Sequence, residues 1–166
     1  MSEAGFAVTV DPEFPPGGGE APERIPAGLS RIGAVLRLTA PGAPPWDIAI
    51  GGPNWWRTPI RTAIAFLSDR TGYVVEVIDR RVLVEVAGAQ RVRQDQRNGL
   101  ILLLTTGGMT AVGAGGIVWA TEDIALDDLK VVAIDEGGIH CTGYDGGELP
   151  SEFVVDPSTG KASKHR

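Results

Sequence analysis

Residues 99–120 read GLILLLTTGGMTAVGAGGIVWA, and two folds compete for them. No charge falls between Arg97 and Glu122, a gap of 24 residues. That is long enough for a helix to cross a bilayer. Arg91, Arg93 and Arg97 precede the gap, and Glu122 and Asp123 follow it, flanks that a membrane helix could carry. Six glycines interrupt the stretch, however: Gly99, Gly107, Gly108, Gly113, Gly115 and Gly116. The apolar residues fall in two short blocks, Leu100–Leu104 and Ile117–Trp119. Two buried strands joined by a glycine-rich connection account for this better than one helix. The stretch is therefore expected in a β-fold, with membrane association through residues 99–120 as the competing reading.

The flanking sequence favours strands as well. Residues 73–78 (YVVEVI) and 82–86 (VLVEV) are rich in β-branched side chains, with Asp79-Arg80-Arg81 as a tight connection between them. Asp69-Arg70-Thr71-Gly72 reads as a hairpin turn in which Gly72 supplies a positive φ. Asn98-Gly99 is a second turn, and Asp135-Glu136-Gly137-Gly138 is the clearest hairpin in the chain. Further strand-like runs lie at 32–39, 46–50, 59–67, 129–134, 139–144 and 152–155. Residues 88–98 (GAQRVRQDQRN) read as a polar loop. No segment holds apolar residues at helical spacing over three turns, which excludes a helical bundle.

The expected fold is all-β, an antiparallel sandwich or partly open barrel of about ten short strands. No repeat is regular enough to indicate a propeller. The predicted core comprises Val35, Leu38, Ile64, Phe66, Val75, Val84, Leu102, Leu104, Val118, Val132, Ile134 and Phe153. Residues 1–28 carry Pro12, Pro15, Pro16, Gly17, Gly18, Gly19, Pro22 and Pro26, and read as a Pro/Gly-rich N-terminal arm, flexible or ordered by a partner. Residues 29–157 would form a single β-rich domain, and 158–166 a basic C-terminal tail.

Composition narrows the function. The chain has 166 residues, 43% of them apolar and 22% charged, enough to bury a core without staples. The net charge of −6 argues against nucleic acid, which needs a clustered basic excess. The charge is unevenly spread: residues 57–97 hold eight arginines and five acids, whereas residues 121–156 hold ten acids and one lysine. Cys141 is the single cysteine, so no intrachain disulfide can form. With no basic, apolar secretion signal at the start, the expected location is cytoplasmic. Arginine outnumbers lysine twelve to three, a bias of GC-rich bacterial genomes.

Catalytic and metal signatures are weak. His140 and Cys141 are neighbours in a predicted strand and so face opposite ways, which separates a Cys–His pair. One Cys and two His are too few for a structural zinc site. Glu122, Asp123, Asp127 and Asp128 lack calcium-loop spacing. Gly113-Ala114-Gly115-Gly116 precedes a strand, and Thr159-Gly160-Lys161-Ala162 lacks the closing Ser or Thr of a phosphate loop. No cofactor or metal is expected.

Asn54-Trp55-Trp56-Arg57 is the most unusual local feature. In a strand at most one of the two tryptophans faces the core, leaving the other beside an arginine, a composition typical of interface hot spots. The expected function is a non-enzymatic protein-binding module, in the manner of an immunity protein or an assembly subunit. It would bind a basic protein partner, or a second copy, through an acidic surface and the Trp-Trp-Arg cluster. Its binding residues would be Trp55, Trp56, Arg57, Asp123, Asp127 and Asp128. The alternative is a carbohydrate-binding or glycoside-cleaving β-sandwich with Trp55 or Trp56 as a stacking platform and carboxylates from 122–148.

Overall fold

A computed structural model describes residues 5–12 and 21–165. Among them there is no helix, and sixteen strands build four sheets of four. The first sheet holds β1 (Ala7–Val10), β2 (Glu23–Ile25), β3 (Ala34–Thr39) and β4 (Trp46–Ile50) in the order β1-β3-β4-β2. Its β2–β4 pair is parallel; all other pairs among the described residues are antiparallel. The remaining sheets are meanders. The second holds β5 (Trp55–Arg57), β6 (Ala63–Ser68), β7 (Thr71–Glu76) and β8 (Arg81–Ala87). The third holds β9 (Arg91–Asp95), β10 (Leu100–Leu104), β11 (Met109–Gly113) and β12 (Gly116–Thr121). The fourth holds β13 (Asp127–Asp135), β14 (Gly138–Tyr144), β15 (Ser151–Val155) and β16 (Ala162–Lys164).

The sheets stack face to face, with a core in each gap. Leu36, Leu38, Ile48 and Ile50 of the first sheet meet Ile64, Phe66, Tyr73 and Val75 of the second. Ala65, Val74 and Val84 of the second meet Ile101, Leu103 and Val112 of the third. Leu102, Leu104 and Met109 of the third meet Leu129, Ile139, Cys141 and Phe153 of the fourth. The two middle sheets are therefore covered on both faces. A strand covered on both faces needs apolar residues at every position, not at alternate ones. That is why β6 (AIAFLS) and β10 (LILLL) read as unbroken apolar runs.

The stretch 99–120 is settled by this arrangement. It supplies β10, β11 and most of β12, strands of one sheet. No helix among the described residues is long and apolar enough to cross a membrane.

Sixteen strands replace the expected ten. The added ones are short or polar and lie mostly at sheet edges, where one rim of the backbone meets solvent and apolar patterning is not required. The run 88–98, expected as a loop, contains β9 (RVRQD), an edge strand. The stretch expected as an N-terminal arm enters the fold where it is described: β1 and β2 form the two edges of the first sheet, and Phe6 and Ile25 are buried in its core. Residues 1–4 and 13–20 lie outside the described residues. The expected C-terminal tail likewise contributes β16, paired with β15.

Two details of the turns and core differ from expectation. At the β6–β7 hairpin the positive φ angles belong to Asp69 (52°) and Arg70 (59°), a two-residue turn with both central residues left-handed. Gly72 sits in β7 for a different reason: a Cβ there would lie 2.8 Å from the Cβ of Ala89. Val118 and Val132, expected in the core, are about half exposed. β12 and β13 are edge strands, and the inward residue of β12 is Trp119.

First strands lie beside first strands along one side of the stack. Arg57 of β5 covers the ring of Phe6 just before β1, and Arg91 of β9 donates to the carbonyl of Leu129 in β13. β8 lies against β12 on the other side, and Trp119 of β12 donates to the carbonyl of Pro157, which follows β15. The first strands of the last three sheets begin at Trp55, Arg91 and Asp127, 36 residues apart each time. Four-stranded antiparallel units ordered in this way also describe neighbouring blades of a β-propeller.

Candidate functional site

Two concavities flank the β8–β9 connection, and each is shaped by the way consecutive sheets meet. The larger is a groove of about 610 Å³ between β8, the β10–β11 turn and the loop from β12 to β13. The loop is pinned: the N–H groups of Ile124 and Ala125 both donate to the carbonyl of Gly107, at 2.8 and 3.1 Å. Gly107 is required there, because a Cβ would collide with the carbonyl oxygen of Ala125. Leu126 N–H donates to the Tyr144 carbonyl at 2.8 Å, which carries the loop onto the fourth sheet.

Val86, Met109, Ile117 and Leu126 give the groove its apolar lining, and Glu85, Glu122 and Asp123 give it charge. Ile117 is 57% exposed and Leu126 69% exposed, so the apolar surface is open to a partner. Among the described residues no Lys, Arg or His lines the groove. Among the described residues, none of the three carboxylates has an ion-pair partner.

The smaller concavity is a cleft of about 380 Å³ on the first-strand side. Trp56 of β5, Arg91 and Arg93 of β9 and Lys130 of β13 line it. Among the described residues no carboxylate lines it. Asp128 stands next to it, 2.7 Å from Arg91 Nη2 and 2.7 Å from Lys130 Nζ. The hydrogen bonds from Lys130 and then Arg91 hold the Asp128 carboxyl below its usual range. Arg93 has no hydrogen bond or ion pair among the described residues.

The six expected binding residues are not gathered on one surface. Trp55 packs against the first core, opposite Phe66, whereas Trp56 on the other face of β5 reaches the cleft. Arg57 stacks 5.1 Å over the Phe6 ring and donates to the Phe6 carbonyl. Asp123 stands at the groove. Asp127 accepts the N–H of Asp128 at 2.7 Å, and Asp128 is committed to Arg91 and Lys130. Sequence reasoning missed Arg91, Arg93 and Lys130 as a group. The RVR alternation at 91–93 was the available clue, since it places two arginines on one face of a strand.

His140 and Cys141 diverge. His140 Nε2 lies 2.8 Å from Asp135 Oδ1 on the outer face of the fourth sheet. Cys141 is buried in the third core, and burial pushes its thiol up to about 12. Among the described residues no three of His, Cys, Asp and Glu gather as a metal site would require. No protein-family model matches the sequence, and comparison with curated proteins finds no match.

Proposed function

We propose that the chain is a non-enzymatic binding module whose groove beside β8 and β12 takes a basic, partly apolar segment of a protein partner. The observation that carries this reading is the composition of the groove: Glu85, Glu122 and Asp123 without a cation, around Val86, Met109, Ile117 and Leu126. Complementary charge steers such a partner and fixes its register, and desolvated apolar contacts hold it. β8 and β12 are both edge strands among the described residues, the position at which an extended segment adds to a sheet. A second copy of the chain is the competing occupant. The glycan alternative rests on Trp56, and because no carboxylate lines the cleft that Trp56 enters, binding without cleavage is the form of it that the geometry favours.

The test is fluorescence anisotropy with two labelled peptides, one alternating Leu and Lys and one alternating Leu and Glu. The Lys peptide is expected to bind at low salt and to weaken about tenfold as salt is raised. The Glu122→Lys, Asp123→Lys double variant is expected to lose that binding. Equal binding of both peptides, or an unchanged double variant, would overturn the reading. Sedimentation of the chain alone identifies self-association as the alternative.

A further inference from the structure

We infer that the cleft where β5, β9 and β13 meet binds a small ring compound carrying an oxyanion, with the ring against Trp56 and the oxyanion on Arg93 and Lys130. This inference is independent of the groove reading and concerns the other side of the β8–β9 connection.

The argument begins with charge. The chain carries a net −6, yet this cleft is lined by Arg91, Arg93 and Lys130 and, among the described residues, by no acid. Among the described residues Asp128 is the one carboxylate paired with these cations, and each of its oxygens is already taken, one by Arg91 and one by Lys130. Three cations against one anion leave a local excess of two positive charges. A cleft lined by one sign of charge raises the local concentration of the opposite ion. Arg93 is the cation with no partner among the described residues, and its planar fork suits a carboxylate or phosphate.

The aromatic and apolar walls decide the rest of the ligand. Trp56, Val92, Leu104 and Val131 give the cleft an aromatic and apolar part of its wall. An inorganic anion would leave that apolar surface bare. A ring attached to the oxyanion covers it, through stacking on the indole. Asn54 and Gln90 add hydrogen-bonding groups at the margin, suited to ring hydroxyls or ring nitrogens. A volume of about 380 Å³ accepts one such ring with its anionic group. Two sources share this chemistry: a nucleoside monophosphate and a uronic acid sugar.

Titration calorimetry on the full chain separates them, using adenosine monophosphate, glucuronate, adenosine, glucose and inorganic phosphate as probes. One of the two charged ring compounds is expected to bind at least tenfold more tightly than its neutral counterpart and than phosphate. Adenosine monophosphate alone identifies a base on Trp56; glucuronate alone identifies a sugar. Arg93→Gln removes an exposed side chain with no partner among the described residues, and it is expected to keep the fold and to weaken the charged compound about tenfold while leaving the neutral one unchanged. Trp56→Ala is expected to weaken both. If neither charged compound binds, or if Arg93→Gln binds as well as the parent chain, the inference is overturned. The Glu122→Lys, Asp123→Lys variant, which alters the groove, is expected to bind these probes normally, so the two readings fail separately.

Discussion

Arg91 and Asp128 lie 2.7 Å apart across the gap between the third and fourth sheets, and Lys130 takes the second oxygen of the same carboxylate. This pairing ties the first strand of one sheet to the first strand of the next. Because both cations favour the charged form, the Asp128 carboxyl titrates below its usual value of 3.8. A folded-state value that is depressed contributes stability above the unfolded value and loses it as pH falls through the folded one. The gap in urea midpoint between the parent chain and Asp128→Asn is therefore expected to be steady above pH 3.8 and to close below it. A gap that stays constant down to strong acid would show that the carboxylate charge plays no part.

Both faces of β10 are buried, so adjacent residues carry equal weight. Ile101 faces the second sheet and Leu102 faces the fourth. Ile101→Ala and Leu102→Ala are each expected to cost about 2–5 kcal/mol in chemical denaturation, through lost burial and a cavity. In a sheet with one wet face only one of the two would be costly. A large loss at Leu102 with almost none at Ile101 would contradict the stacking described.

Gly160 packs onto Trp119, whose indole N–H donates to Pro157. A Cβ at position 160 would lie 2.5 Å from the ring, and the residue has φ of +73°. Gly42 has nearly the same φ, +74°, with open space around it. Gly42→Ala is expected to cost about 1–2 kcal/mol from the backbone alone. Gly160→Ala is expected to exceed it by about 2 kcal/mol, because the ring must shift. Equal costs in thermal denaturation would mean that the fourth sheet yields freely at this contact.

Cys141 is buried among Leu102, Leu129 and Phe153, and its thiol is pushed up to about 12. The thiolate is the reactive form. Iodoacetamide at pH 8 is expected to leave the folded chain unlabelled and to modify it stoichiometrically in denaturant, as mass spectrometry would record. Rapid labelling of the folded chain would show that the third core opens.

The legible parts of the sequence were those governed by neighbours along the chain. The Asp135–Gly138 hairpin was legible from its Asp-Glu-Gly-Gly composition, and in the structure Gly138 takes φ of +130° and Asp135 Oδ1 accepts the N–H of Gly137 at 2.7 Å. Asn98-Gly99 was evident for similar reasons, with Asp95 closing the turn onto Asn98. The β9 strand was missed because an edge strand needs no apolar alternation. The three residues of the Trp-Trp-Arg cluster part company in the fold: Trp56 lines a cleft, while Trp55 packs on the first core and Arg57 on Phe6. The acids were separated by the crossing loop, which sends Asp123 to the groove and Asp128 towards Arg91.

The amino-acid sequence by itself determined that this protein is built of strands joined by Gly, Asp and Pro turns. β-branched runs and left-handed turn residues act over a few positions and need no distant partner. The tertiary structure alone decided that these strands form four stacked sheets with starts 36 residues apart, because that spacing is carried by backbone pairing and not by a repeated residue pattern. It also decided which charges meet. Trp56, Arg93 and Lys130 come from three different sheets, and only face-to-face packing of those sheets places them around one cleft.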